Sequence, residues 1–126
     1  MFQSERKPPV VLIVEDERLI RMDAVDMIRA AGFDVVEAEN ADEAIFILEH
    51  RFDISVVFTD IHMPGSMDGL KLAAAIRGRW PPIKIIATSG LLKICNGGLP
   101  SGCHFLPKPY SSSQIAGALR ELTVDG

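Results

Sequence analysis

No stretch of the chain stays apolar for the ~18 residues a membrane span needs, and Met1-Phe2-Gln3-Ser4-Glu5-Arg6-Lys7 lacks the hydrophobic stretch of a secretory signal. These absences predict a cytoplasmic protein with no membrane partner. Cysteine is scarce: Cys95 and Cys103 stand eight positions apart with no CxxC pairing and no histidine pair at zinc spacing. They read as free thiols in a reducing compartment. The 13 lysines and arginines are scattered and the net charge is -4, whereas nucleic-acid binding needs a clustered basic face. Protein or small-molecule partners fit better. There is no Walker phosphate loop, no internal repeat and no low-complexity segment.

What remains is one ordinary globular chain of 126 residues, 48% hydrophobic and 24% charged, enough for a single core. The expected organisation is one domain over residues 1–126 with its core at about 10–122. Val10 to Val14 is a continuous apolar run, as in a parallel strand buried on both faces. Leu19, Ile20, Met22, Val25, Ile28 and Ala31 then recur at helical spacing, and Gly32 supplies the stop. A short strand over 34–38 leads to Asn40, which can cap a helix to about Arg51, with Glu43 reaching back. The third strand runs from Ile54 to Thr59. Ser66 is the expected cap of a helix through Leu70, Leu72, Ala73 and Ile76, which must end before Trp80-Pro81-Pro82. A fourth strand covers 83–88 and a short fifth 104–106. Ser111 and Gln114 can form a capping box for a last helix to about Thr123. Between the fourth and fifth strands, Gly97, Gly98 and Pro100 leave room for a helix of little more than a turn.

Strands alternating with helices predict an α/β fold, a doubly wound five-stranded parallel sheet of order 2-1-3-4-5, flavodoxin-like, with its fourth helix shortened or irregular. In such sheets ligands bind beyond the carboxyl ends of the strands where strand order reverses. The polar residues fall there. Glu15 and Asp16 follow the first strand, Asp60 the third, Thr88 and Ser89 the fourth, and Lys108 the fifth. Each has a plainer reading. Glu15-Asp16-Glu17 and Asp68 could offset helix dipoles, Asp60 could form an Asx turn before Pro64-Gly65, and Lys108 could be a solvated turn residue. His50, His62 and His104 share no metal spacing.

Taken in order along the chain, Val14-Glu15-Asp16-Glu17, Thr59-Asp60-Ile61-His62-Met63-Pro64, Met67-Asp68-Gly69, Ser89-Gly90 and Lys108-Pro109 resemble the receiver domain of a two-component response regulator. The likeness is to chemotaxis-type, single-domain receivers and covers residues from about 10 to 122. It implies that Asp60 accepts a phosphoryl group from a sensor histidine kinase or a histidine phosphotransfer protein, hydrolyses it slowly, and switches affinity for a downstream protein target. It implies Mg²⁺, with Mn²⁺ able to serve, on Asp16, Asp60, the backbone carbonyl of His62, and Glu15 through water. Ser89 and Lys108 would sense the phosphoryl group, and Phe105 would be the switch aromatic. Such a chain is not an enzyme beyond its own aspartyl phosphorylation and dephosphorylation. The chain stops just after its last helix, so no output domain is expected.

Four departures from the pattern stand out: an extra residue at Gly65-Ser66, Ser89 where threonine is commoner, Phe105 without a phenolic oxygen, and the reduced segment from Leu91 to Gly102. Rival classes fit less well. A flavodoxin-like FMN carrier needs a hydroxyl-rich phosphate loop after the first strand, where the three acids would repel phosphate. A haloacid-dehalogenase-type phosphatase would carry its Asp-x-Asp there, whereas this chain has Asp60-Ile61-His62 after the third. The remaining alternative is a degenerate receiver serving as a phosphorylation-independent docking module. The intact Glu15, Asp16, Asp60, Ser89 and Lys108 speak against it.

Overall fold

The computed structural model describes residues 7–63, 68–90 and 102–123. Its elements alternate: β1 (Val10–Val14), α1 (Arg18–Ala30), β2 (Asp34–Ala38), α2 (Ala41–His50), β3 (Ile54–Asp60), α3 (Gly69–Arg79), β4 (Lys84–Ser89), β5 (Cys103–Pro107) and α4 (Ser112–Thr123). The five strands form one parallel sheet in the order β2-β1-β3-β4-β5, as expected from the alternation. The shortened helix expected after β4 and Cys95 lie outside the described residues. Cys103 is a half-buried free thiol.

Local chemistry accounts for most boundaries. Gly32 takes φ +99°, and paired bonds from Gly32 N–H to Arg29 O (3.0 Å) and Phe33 N–H to Ile28 O (3.3 Å) close α1. This is the left-handed stop that glycine permits without a Cβ clash. Asn40 accepts from Glu43 N–H at 2.8 Å, while the Glu43 carboxylate reaches one residue beyond the cap to Glu39 N–H at 2.7 Å. Ser111 and Gln114 exchange bonds of 2.8 and 3.1 Å, so the expected capping box opens α4. One expectation is corrected. The cap of α3 is Asp68, which accepts from Lys71 N–H at 2.9 Å, and not Ser66, two residues earlier and outside the described residues. Asp68 places a full negative charge at the positive end of α3, which a serine hydroxyl cannot.

Two apolar layers sandwich the sheet. One face packs Leu12, Val14, Val57 and Ile85 against Ala44 and Leu48 of α2 and Leu72, Ala73 and Ile76 of α3. The other packs Val11, Ile13, Val56, Phe58 and Ile86 against Ala24, Val25 and Ile28 of α1 and Ile115 and Leu119 of α4. Every residue of β1 is buried, as its unbroken apolar run requires. At about 25 cal/mol per Å² of apolar area removed from water, these layers supply the main drive to fold. They leave the carboxyl edge of the sheet to polar residues.

Candidate functional site

The sheet register brings that edge together. β1 and β3 align Val14 with Thr59, β3 and β4 align Asp60 with Thr88, and β4 and β5 align Ser89 with Pro107. Past the last rungs the ladder continues: Ile61 N–H donates to Thr88 O at 2.9 Å and Lys108 N–H to Ser89 O at 2.9 Å. Residues up to 93 positions apart in sequence therefore meet because each is the last residue of its strand, as Asp60 is, or the first beyond it, as Glu15 and Lys108 are.

A cleft of about 310 Å³ is lined by Glu15, Asp16, Glu17, Asp60, His62, Gly90 and Lys108. Carboxylate oxygens of Glu15, Asp16 and Asp60 all lie within 4.8 Å of one another. Glu15 and Asp60 are only 5% and 7% exposed, whereas Asp16 is open to solvent. Lys108 Nζ stands 3.2 Å from Asp60 Oδ1 and 3.4 Å from Glu15 Oε1. Among the described residues it is the one ammonium ion-paired to these acids. Three carboxylates against one ammonium leave an excess of negative charge in a partly desolvated cleft, which is costly unless a further cation arrives.

The titration of the neighbours records this crowding. Burial pushes the Glu15 carboxyl above its ordinary value; the Glu17 N–H and Lys108 pull it back and the Asp60 charge pushes it further. For Lys108 burial alone would favour the neutral amine, but the Asp60 and Glu15 charges outweigh it and hold the ammonium above its usual range. Lys108 is thus a fixed cation here, and not the solvated turn residue of the plainer reading. The donor set suits a hard divalent ion: oxygen ligands, two of them rigidly seated and one exposed, with space for water. Part of the helix-dipole reading also holds, because Glu15 Oε2 accepts from Glu17 N–H at 3.1 Å at the head of α1.

Gly69 explains how α3 fits beside β3, the strand that ends in Asp60. A Cβ there would lie 2.1 Å from Asp60 O and 2.6 Å from Ile61 Cα, and its N–H donates to Ile61 O at 2.8 Å. Only a residue without a side chain lets the helix start against this backbone. Ser89 is buried as the last residue of β4, and it is Gly90 after it that lines the cleft; His62 is exposed at the rim, and Phe105 is half-buried on β5, away from the lining.

The sequence model of the response regulator receiver domain matches residues 11–120. The chain belongs to the response regulator receiver family. It is 37% identical over 116 residues to the sensor kinase CckA of Brucella abortus, covering 89% of this chain and 12% of that protein. It is 36% identical over 121 residues to the transcriptional regulatory protein PdtaR of Mycobacterium tuberculosis, covering 93% of this chain and 57% of that one. The chain therefore spans from about an eighth to somewhat over half of these relatives. Among solved structures it is similar to a response regulator receiver protein from Sinorhizobium medicae, with a TM-score of 0.83 and 28% identity over 92% of this chain and 94% of that one. The acid cluster of this receiver is compatible with Mg²⁺ and with aspartyl phosphorylation. No helix among the described residues is long and apolar enough to cross a membrane.

Two residues at the site escaped the sequence reading. Arg21 donates from Nη1 to Glu15 O at 2.8 Å and from Nε to Glu37 Oε1 at 3.1 Å. Tyr110 stacks edge-on against Phe58, with ring centroids 5.6 Å apart. No local signal marks either one. Arg21 lies in an amphipathic helix where an arginine is ordinary, and its partners become neighbours only when β2 pairs with β1.

Proposed function

We propose that this receiver takes a phosphoryl group onto Asp60 from a phosphohistidine of a histidine kinase or phosphotransfer protein, and that the modified form changes affinity for a protein target. The observation that carries it is the charge balance of the cleft among the described residues: two buried carboxylates and an exposed one around one lysine. In the transfer a bond from an Asp60 carboxylate oxygen to phosphorus forms as the histidine nitrogen–phosphorus bond breaks; the imidazole, protonated on its other ring nitrogen, keeps the bonding pair and leaves neutral. Asp60 is held on the end of a rigid strand, so its approach is set before the partner arrives. Asp16, Asp60, the His62 carbonyl and, through water, Glu15 would hold Mg²⁺ or Mn²⁺, which when bound would offset the charge on the phosphoryl oxygens.

Lys108 then takes a phosphoryl oxygen as a point charge and Ser89 donates its hydroxyl to another. The new dianion pulls on the loops after β4 and β5, and Phe105 on β5 follows by packing. The readout is a population shift between two loop arrangements. Beside the cleft, and sharing Gly90 and Lys108 with it, a largely apolar hollow of about 450 Å³ lies between Ile20 and Met27 of α1 and Pro109 and Tyr110. This apolar flank gives the phosphohistidine partner a surface to rest on next to Asp60.

The test is incubation with Mg²⁺ and acetyl phosphate. A mass increase of one phosphoryl group, stable in acid, labile in base and lost in Asp60→Asn, is expected. Absence of the adduct, together with no Mg²⁺-dependent response to beryllofluoride, would replace this reading with the phosphorylation-independent docking module.

A further inference from the structure

Glu15 and Asp16 are adjacent in sequence and held in opposite ways. Every polar group of Glu15 has a partner. Its N–H donates to Ala38 O at 3.1 Å, Oε2 accepts from Glu17 N–H at 3.1 Å, Oε1 faces Lys108 Nζ at 3.4 Å, and its carbonyl accepts from Arg21 Nη1 at 2.8 Å. Asp16 is exposed, and no described residue hydrogen-bonds or ion-pairs with its carboxylate. What sets Asp16 beside Asp60 is therefore backbone. The peptide joining the Glu15 carbonyl to the Asp16 nitrogen is planar, so the group that holds this carbonyl also orients the plane from which Asp16 departs.

Arg21 is that group. Its guanidinium is a rigid planar fork, with one arm on the Glu15 carbonyl and another on the Glu37 carboxylate of the edge strand β2. The Arg21 side chain is only 13% exposed, so solvent competes poorly for its bond to the Glu15 carbonyl, while the Glu37 end of the clamp, 45% exposed, is open to water. The acid-bearing turn is thereby tied across α1 to the sheet. Charge argues in the same direction. A cation close to three carboxylates opposes a divalent ion that seeks them, and pairing Arg21 with Glu37 offsets that opposition while the geometry is kept.

We propose that Arg21, anchored by Glu37, is a positioning residue for the divalent-ion site: it fixes the Glu15–Asp16 peptide so that Asp16 and Asp60 can share one ion. Arg21 touches neither the ion nor the phosphoryl group. The proposal rests on the reading that Glu15, Asp16 and Asp60 hold Mg²⁺.

Calorimetric titration with Mg²⁺ tests it on the intact chain, with folding checked by circular dichroism. Arg21→Met removes a positive charge near the acids, so electrostatics alone would tighten Mg²⁺ binding, and a purely structural role would leave the affinity of the folded protein unchanged. Positioning predicts weaker binding, by about tenfold, in the lower range for residues that orient metal ligands. Arg21→Lys keeps the charge but not the fork, and recovers only part of the loss. Should Arg21→Met not fold, Glu37→Ala releases the clamp from the β2 side. Its loss must exceed that of Glu37→Gln, which removes the same charge but still accepts from Nε. Unchanged or tighter binding in Arg21→Met, or equal losses in Glu37→Ala and Glu37→Gln, overturns the role of Arg21 alone, provided Asp16→Asn abolishes wild-type binding. A wild type that binds no Mg²⁺ overturns the metal reading and this proposal with it.

Discussion

Both ends of the sheet carry carboxylates and cations, yet only one is built for chemistry. At the amino end, a hollow of about 480 Å³ is lined by Lys7, Arg29, Arg51, Asp34 and Asp53 among others. There Arg51 and Asp53 form a two-pronged pair at 2.9 and 2.6 Å, with side chains 43% and 54% exposed. At the carboxyl end the contacts of Lys108 are longer, 3.2 and 3.4 Å, but its carboxylate partners are under 10% exposed. The shorter bonds are the weaker ones in free energy, because water screens both charges. Hydrogen bonds from Arg51 hold the Asp53 carboxyl below its ordinary value, so that pair is already satisfied. The acids at the other end outnumber their lysine. An unsatisfied excess of buried charge, not short distance, distinguishes a site from a surface pair.

The largest expected effect tests the rigid support of that site. Gly69→Ala forces a methyl group to 2.1 Å from the Asp60 carbonyl, which the backbone must yield to. A loss of about 2–3 kcal/mol in urea unfolding is expected, at the upper end for overpacking, together with a slower phosphorylation rate. If both stay at wild-type values, α3 does not hold the end of β3. Next, Lys108→Ala leaves Glu15 and Asp60 without their ammonium, at a cost of about 1–2 kcal/mol, less than for a fully buried pair because Lys108 is partly solvated. Mg²⁺ should still bind and should restore more stability to this variant than to wild type, while phosphorylation no longer drives the conformational change. Coupling that survived intact would remove Lys108 from its assigned role.

Tyr110 gives a finer measure. Burial, then the charges of Glu15, Asp60 and Asp23, push its phenol up to about 12. It is the single tyrosine of the chain, so an ultraviolet absorbance titration reads it directly. The phenol is protonated in both states below about 10, where its contribution to stability is complete. Between there and about 12 the unfolded chain ionises first, so stability is lost as pH rises. Tyr110→Phe should lose less over this window, and a titration midpoint near the free value would mean that the flank of the site is open. The smallest effect belongs to the amino end. Arg51→Ala should leave the unfolding midpoint and the phosphorylation rate unchanged within error. A loss matching that of Lys108→Ala would erase the contrast between the two ends.

Much of this architecture is legible in the amino-acid sequence. β2 spans the residues expected from their pattern, Gly32, Asn40 and Ser111 act as the local stop and caps they resemble, and the strand-end acids and lysine meet at one edge. Those features depend on neighbours within about one helical turn or on the period of apolar residues, both written in the chain. The start of α3 is not legible in that way. Ser66 and Asp68 are both good caps by composition, and the close seat of Gly69 on Asp60 decides between them. That contact joins two elements and has no local signature.

The sequence by itself determined the parallel sheet, the two apolar faces and which residues leave the strands at the carboxyl edge, because periodicity and turn chemistry are local. Only the tertiary structure decided that Asp60 and Glu15 are buried against Lys108, the one ammonium paired with them among the described residues, and that Arg21 links the Glu15 carbonyl to Glu37. Burial and charge balance belong to the assembled edge. They depend on which strands lie side by side, and no single segment carries that information.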